Sequence, residues 1–240
     1  MKWEHYLLEK KSPSPPWAHL GKIDGLVNGI FDLSQVPEGT KALSLCMPLK
    51  KYKLFYTNWN ALIGNTQIEA VELNEVTQQH ISLLSTLPNL KYLQISVNKQ
   101  ENIPDLSSLT SLKVLILASI KRAKDIEFLS KLKNLKTLYI CDFNNLYDLS
   151  PISQLEKLEE LFLSSGGMSG VGKPVKSMKP LASLSKLKYL SFSLTVEGKN
   201  YDITPILLLK KLKYLDMLPR YYKKGQFEIL KNALPDTKII

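Results

Sequence analysis

The sequence predicts an α/β fold: a right-handed solenoid, or horseshoe, with a parallel concave sheet and short helical or irregular convex segments. Three observations predict it: a recurring apolar template, a strand-like alternation closing each copy, and a proline-marked helical start in several copies. The template reads Leu84-x2-Leu87-x2-Leu90-x2-Leu93-x-Ile95, then Leu106, Leu109, Leu112, Leu115, Leu117, then Leu129, Leu132, Leu135, Leu138, Ile140. Three further copies keep the same spacing, at Ile152, Leu155, Leu158, Leu161, Leu163; Leu181, Leu184, Leu187, Leu190, Phe192; and Ile206, Leu209, Leu212, Leu215, Met217. Counted from the second apolar residue of each copy, the spacings are 22, 23, 23, 29 and 25 residues.

Each part of the template has a physical reading. A strand alternates its side chains, so Leu138 and Ile140 point inward while Tyr139 faces the other way. One more apolar residue stands three positions before each copy, at Ile81, Ile103, Ile126, Leu149, Met178 and Ile203. In Asp148-Leu149-Ser150-Pro151 and Asp202-Ile203-Thr204-Pro205 the Ser or Thr is of the helix N-cap type. The proline suits the first helical position, so a short convex helical turn is expected after each pair. No single copy can bury its apolar face alone, so neighbouring copies must stack.

Degenerate copies flank the regular ones, as expected of residues that close a stack. Leu62, Ile68, Val71 and Leu73 fit with Asn65 in place of a leucine, and Asp32-Leu33-x2-Val36 with Leu43 and Leu45 fits with an extra residue. Phe227, Leu230, Ala233 and Ile239 suggest a closing helix and a stub of strand. The chain therefore divides into an N-terminal segment and cap (1–30), degenerate repeats (31–80), regular repeats (81–218) and a C-terminal capping repeat (219–240).

Over roughly residues 60–240 the pattern resembles the leucine-rich-repeat superfamily, in the short-repeat class typified by bacterial internalins. The resemblance implies a protein-binding solenoid. It departs at the asparagine that the family places three residues after the last strand leucine: Asn98 keeps it, but Ile120, Phe143 and Gly166 replace it. Irregular turns are expected there.

Composition bounds the function. The 240 residues are 44% hydrophobic and 22% charged, which excludes disorder over most of the chain. Thirty-two Lys and Arg against 22 Asp and Glu give +10, a field that favours acidic partners. The first twenty residues hold no apolar run of signal-peptide length, no stretch suits a membrane span, and no Asn-x-Ser/Thr sequon occurs. A cytoplasmic location is the expectation.

If the repeats lie parallel, the outward strand residues form ladders on the concave face. The first runs Tyr92, Val114, Thr137, Glu160, Tyr189, Tyr214; the second Gln94, Ile116, Tyr139, Phe162, Ser191, Asp216, with Glu72 preceding it; the third Ser96, Ala118, Cys141, Ser164, Ser193, Leu218. The middle, Val114 with Ile116, Tyr139 and Phe162, reads as an exposed apolar and aromatic groove, the kind of surface that marks an interaction site. The competing readings are plain β-propensity and a cap loop folded over the groove. Lys91, Lys113, Lys136, Lys188 and Lys213, with Glu159 between them, precede the strands and line one rim. A lysine row steers an acidic partner, with strong salt dependence; a solvated stripe is the bland alternative. The expected contact residues are thus Tyr92, Val114, Ile116, Tyr139, Phe162, Tyr189, Tyr214 and Asp216 with the five rim lysines.

Catalytic chemistry finds little support. Gly167-x4-Gly172-Lys173 matches most of a phosphate-binding loop, but Pro174 stands where a Ser or Thr must hold magnesium, so the segment reads as a loop insertion. His5, His19 and His80 are scattered and suggest neither a metal cluster nor a triad. Cys46 and Cys141 lie several repeats apart, beyond disulfide reach, and read as packing residues. No cofactor or metal is expected. The function read from the sequence is a non-enzymatic protein–protein interaction module with a partly acidic partner; an immunity or regulatory protein is its narrower form. The alternative is a nucleic-acid-binding protein using the lysine-rich rim, against which stands the scarcity of arginine, present only at Arg122 and Arg220.

Overall fold

A computed structural model describes residues 25–48, 50–96, 102–120, 122–165, 172–199 and 201–240. Ten parallel strands form one sheet in strict chain order. They are β1 (Leu26–Val27), β2 (Ala42–Ser44), β3 (Ala70–Leu73), β4 (Tyr92–Ser96), β5 (Val114–Ala118), β6 (Thr137–Cys141), β7 (Glu160–Ser164), β8 (Tyr189–Ser193), β9 (Tyr214–Met217) and β10 (Lys238–Ile239). The six regular copies supply β4–β9, the degenerate copies β2 and β3, and the C-terminal capping repeat β10, while β1 belongs to the segment read as the N-terminal cap.

The spacing of the leucines also explains the convex side. A 3₁₀-helix has three residues per turn, so side chains three apart stack on one face. Leucines every third residue are therefore written for 3₁₀ geometry rather than for the 3.6-residue α-helix. In the third copy Leu129 N–H donates to Ile126 O, Leu132 to Leu129 and Leu135 to Leu132, each at 3.0 Å. The same relay from one template residue to the next runs through Leu149, Ile152, Leu155 and Leu158, and through Ile203, Ile206, Leu209 and Leu212. Short 3₁₀ segments accordingly cover Glu127–Lys131, Ser150–Gln154 and Lys179–Ser183. The closing helix, Gln226–Ala233, and β10 appear where the sequence places them.

The cap of these turns differs from the expectation. Ser150 and Thr204 make no side-chain cap bond; the preceding aspartates do, Asp148 accepting from Ser150 N–H at 2.8 Å and Asp202 from Thr204 N–H at 2.9 Å. Asp32 and Asp105 act likewise on Ser34 and Ser107. A carboxylate two residues ahead reaches the first free N–H of the turn, as in an Asx-turn. In the Lys179–Ser183 turn Ser177 Oγ takes this place, accepting from Lys179 N–H at 3.0 Å, and at the helix Gln78–Leu84 Thr77 and His80 form a reciprocal capping box.

The template leucines make one continuous core between sheet and convex segments. At the missing asparagines, Ile120 and Phe143 are buried in that core. The residues before them, Ser119 and Asp142, take left-handed φ of 58° and 55°, and their N–H groups extend the ladder to Cys141 O and Ser164 O. The turns are irregular because an apolar plug has replaced an amide that would have bonded the loop backbone. Asn98 and Gly166 lie outside the described residues. Among the described residues no helix is long and apolar enough to cross a membrane.

Candidate functional site

The strand register aligns the first two concave ladders as the sequence orders them and the third from Ser96 to Ser193; Leu218, expected next, lies beyond the end of β9. Tyr92 pairs with Val114, Val114 with Thr137, Thr137 with Glu160, Glu160 with Tyr189 and Tyr189 with Tyr214. In the second ladder Glu72 pairs with Gln94, and Ile116, Tyr139, Phe162, Ser191 and Asp216 follow in turn. Tyr139 and Phe162 rings sit 5.9 Å apart and those of Tyr189 and Tyr214 6.4 Å apart, within aromatic contact range.

The expectation of an exposed groove is overturned. Tyr92, Val114, Ile116 and Tyr139 have no exposed surface, and Phe162 and Tyr189 retain 7% and 2%. With Ala42, Ala70, Ala118 and Cys141 they form a second hydrophobic cluster, distinct from the leucine core. Tyr214 and Asp216 are half-buried. The apolar run of β-branched and aromatic residues is thus packing, on the second face of a sheet buried on both sides.

Several polar groups on this face are engaged in kind, while Gln94 Nε2 and Tyr189 Oη are buried without a hydrogen-bond partner among the described residues. Tyr92 Oη donates to Gln94 Oε1 at 2.8 Å, Tyr139 Oη to Glu160 Oε2 at 3.0 Å and Ser191 Oγ to Asp216 Oδ2 at 3.0 Å. Burial, followed by the nearby Asp216 carboxylate, raises the Tyr189 phenol above its ordinary value. Cys141 is free and wholly buried, and burial pushes its thiol up to about 12; Cys46, also free, is pushed to about 11 by the same cause. Thiols so protonated are poor nucleophiles, in keeping with packing roles.

The lysine rim is present and longer than the sequence shows. One main-chain relay at 2.7–2.8 Å joins the residue before each strand from β2 to β9 to its predecessor: Lys41, Glu69, Lys91, Lys113, Lys136, Glu159, Lys188, Lys213; Lys238, the first residue of β10, donates to Lys213 O at 2.8 Å and stands in register with Tyr214. Most of these carbonyls also accept the next N–H along, as Lys91 O does from Lys113 at 2.7 Å and Val114 at 2.9 Å. The side chains therefore stand at strand pitch, ~4.8 Å per step. Lys91 pairs with Glu69 at 3.5 Å, Lys136 with Glu159 at 3.7 Å, and Lys188 with Glu159 more closely. Lys41, Lys113, Lys213 and Lys238 stand in no ion pair among the described residues. Lys41 escapes a leucine-template reading because Ala42 belongs to an irregular end copy; the register of Ala42 with Ala70 reveals it.

The remaining chemical motifs resolve into packing. A Cβ on Gly172 would meet Ser165 Cβ at 2.7 Å and Asn144 Cα at 3.2 Å, so glycine is required there by a close approach of chain segments. Lys173 N–H then donates to Asn144 O at 3.0 Å, an extended pairing rather than a phosphate cradle; Gly167 lies outside the described residues. His80 stacks on Trp59 at 4.3 Å and serves the capping box, while His5 and His19 lie outside the described residues. Among the described residues no group of three or more His, Cys, Asp or Glu could hold a metal ion.

No protein-family model and no curated relative matches the sequence. Among solved structures, an internalin (InlF) from Listeria monocytogenes is similar with TM-score 0.54 and 21% identity, over 83% of this chain and 59% of that one. Internalin C2 (InlC2) from the same species is similar with TM-score 0.52 and 23% identity, over 77% of this chain and 75% of that one. The fold is the leucine-rich-repeat solenoid. At these identities the likeness reaches the fold and no further. This leucine-rich-repeat solenoid spans 59% of the first internalin's length. Within it, the rim lysines are the expected contact residues that the structure leaves reachable, together with Tyr214 and Asp216.

Proposed function

We propose that this chain is a non-enzymatic protein-interaction module whose partner is a protein with an acidic surface, met along the lysine rim. The observation that carries the reading is the main-chain relay from Lys41 to Lys213, which holds six lysines and two glutamates in one row. A row of like charges at fixed pitch raises the association rate of a complementary surface and falls off within a Debye length of ~8–10 Å. Tyr214 and Asp216, half-buried at the C-terminal end of the same sheet, supply an aromatic and a carboxylate beside it. The apolar rungs from Tyr92 to Tyr189 join this contact only in a conformation that uncovers them.

The test is a pull-down with wild type and a Lys113→Glu/Lys213→Glu variant, both shown to be folded by circular dichroism. Support is a discrete protein captured by wild type, weakened by salt and lost in the variant. Equal capture by both removes the rim from the function. Nuclease-sensitive material in place of a protein would replace this reading with nucleic-acid binding.

A further inference from the structure

A second surface stands apart from the lysine rim. Of the eight exposed large hydrophobic side chains among the described residues, three fall within four consecutive positions: Tyr52, Leu54 and Phe55, exposed by 56%, 44% and 66%. Lys50, Lys51 and Lys53 are interleaved with them, and every residue from 50 to 55 is exposed. None of these lysines stands in an ion pair among the described residues, and the sequence holds no acid between Glu38 and Glu69. Singly exposed apolar side chains are ordinary, but a contiguous group marks a contact surface.

The loop is pinned at its base. Asn74 holds Met47 through both main-chain groups, accepting from its N–H at 2.8 Å and donating to its carbonyl at 2.9 Å. On the other side Tyr56 is buried and its Oη donates to Ser44 O at 3.2 Å, while Thr57 N–H donates to Phe31 O at 2.8 Å. Between these anchors Lys50–Tyr52 makes a 3₁₀ turn, and Lys53 N–H donates to Lys50 O at 3.1 Å. Lys53 does so at a left-handed φ of 51°, which lysine rarely adopts. Folding thus fixes apolar groups in water that burial would have favoured. The loop follows the C-terminal end of β2, whereas the rim lysines precede their strands, so in a parallel sheet the two lie at opposite edges.

We propose that the loop Lys50–Phe55 docks this chain on an anionic lipid bilayer. Tyr52, Leu54 and Phe55 enter the boundary between headgroups and acyl chains, and the three lysines meet the negatively charged headgroups. A projecting loop turns its apolar groups outward, so its partner must yield around them. A bilayer does so without a preformed recess, whereas a protein needs one shaped to fit. Aromatic rings favour the interfacial zone, and clustered lysines are drawn to the negative surface potential. Durable attachment takes an apolar anchor and a basic patch together, and the loop supplies both within six residues. This inference goes beyond the rim reading and does not depend on it.

The test is flotation of the full chain with vesicles of phosphatidylcholine alone, and of phosphatidylcholine with phosphatidylserine at about 7:3. Wild type is compared with Tyr52→Ser/Leu54→Ser/Phe55→Ser, Lys50→Gln/Lys51→Gln/Lys53→Gln and the rim variant Lys113→Gln/Lys213→Gln, each checked for folding by circular dichroism. Wild type should float with the phosphatidylserine vesicles alone. Each loop variant should lose about tenfold or more in vesicle affinity, and the rim variant should stay within about threefold of wild type. If a triple variant is unfolded, Phe55→Ser, at the most exposed of the three apolar positions, decides. The proposal is overturned if wild type does not float, if it floats equally with both vesicle types, if the apolar variant floats like wild type, or if the rim variant loses as much as the loop variants. Failure to float would return the loop to a protein partner and leave the rim to its own pull-down.

Discussion

Tyr139 Oη donates to Glu160 Oε2 at 3.0 Å across the β6–β7 pair, and neither side chain has exposed surface. A buried carboxylate depends on its donors, since losing one leaves the desolvation cost without return. Tyr139→Phe keeps the ring contact with Phe162 and removes only the hydroxyl. It is expected to lower stability by ~1–3 kcal/mol, read from the midpoint of urea unfolding. A cost near zero would mean that the carboxylate is solvated.

Phe143 stands where the leucine-rich-repeat pattern that the sequence resembles places asparagine, and it is buried in the leucine core. Phe143→Asn, nominally a change toward the family pattern, leaves a cavity and buries an amide, and should cost ~3 kcal/mol or more. Leu208→Ala, on a side chain 56% exposed, should stay within ~0.5 kcal/mol. Denaturant melts of the two variants side by side check the contrast.

The capping aspartates predict an acid-labile fold. Hydrogen bonds from the Ser150 side chain and backbone hold the Asp148 carboxyl below its ordinary value of 3.8, and Thr204 does the same for Asp202. Their folded values are depressed, so the stabilisation is complete above the unfolded value and is lost as pH falls through the folded one. Asp148→Asn/Asp202→Asn retains an acceptor and removes the charge. The variant should show a shallower fall in Tm below pH ~4 than wild type.

His80 predicts a second, milder pH effect. Burial against Trp59 lowers its value from the ordinary 6.5, although Glu75 opposes the shift. Neutral Nδ1 accepts the Thr77 N–H at 3.3 Å, which the protonated ring cannot do. Stability from this group is present above the unfolded value and is lost as pH falls below it. His80→Gln keeps an acceptor for the capping box and should remove the change in Tm between pH ~7 and ~5.

The fold was legible because one spacing encodes two structures. Leucines at every third position specify the 3₁₀ relay, and the final leucine-x-leucine specifies the strand, so Leu135, Leu138 and Ile140 announce both. The register of Tyr139 beside Phe162 followed from stacking equal repeats. Exposure was not legible. Alternation tells which face Tyr139 takes but not what lies over that face. The capping role of Asp148 was missed because Ser150 matches the usual N-cap chemistry, while the Asx-type reach of the residue two before it depends on local backbone. Lys41 was hidden by an irregular end copy and emerges only from the strand register.

The central claim is that this sheet is buried on both faces, leaving the rim as the reachable surface. Hydroxyl-radical footprinting of the intact protein, read by mass spectrometry, tests it most directly. Tyr92, Tyr139 and Phe162 should be protected to the level of Phe143 and Phe192 in the leucine core, while Tyr52 and Tyr147, 56% and 42% exposed, oxidise readily. Oxidation of Tyr92 and Tyr139 at the rate of Tyr52 would contradict the claim and return the concave face to an open groove.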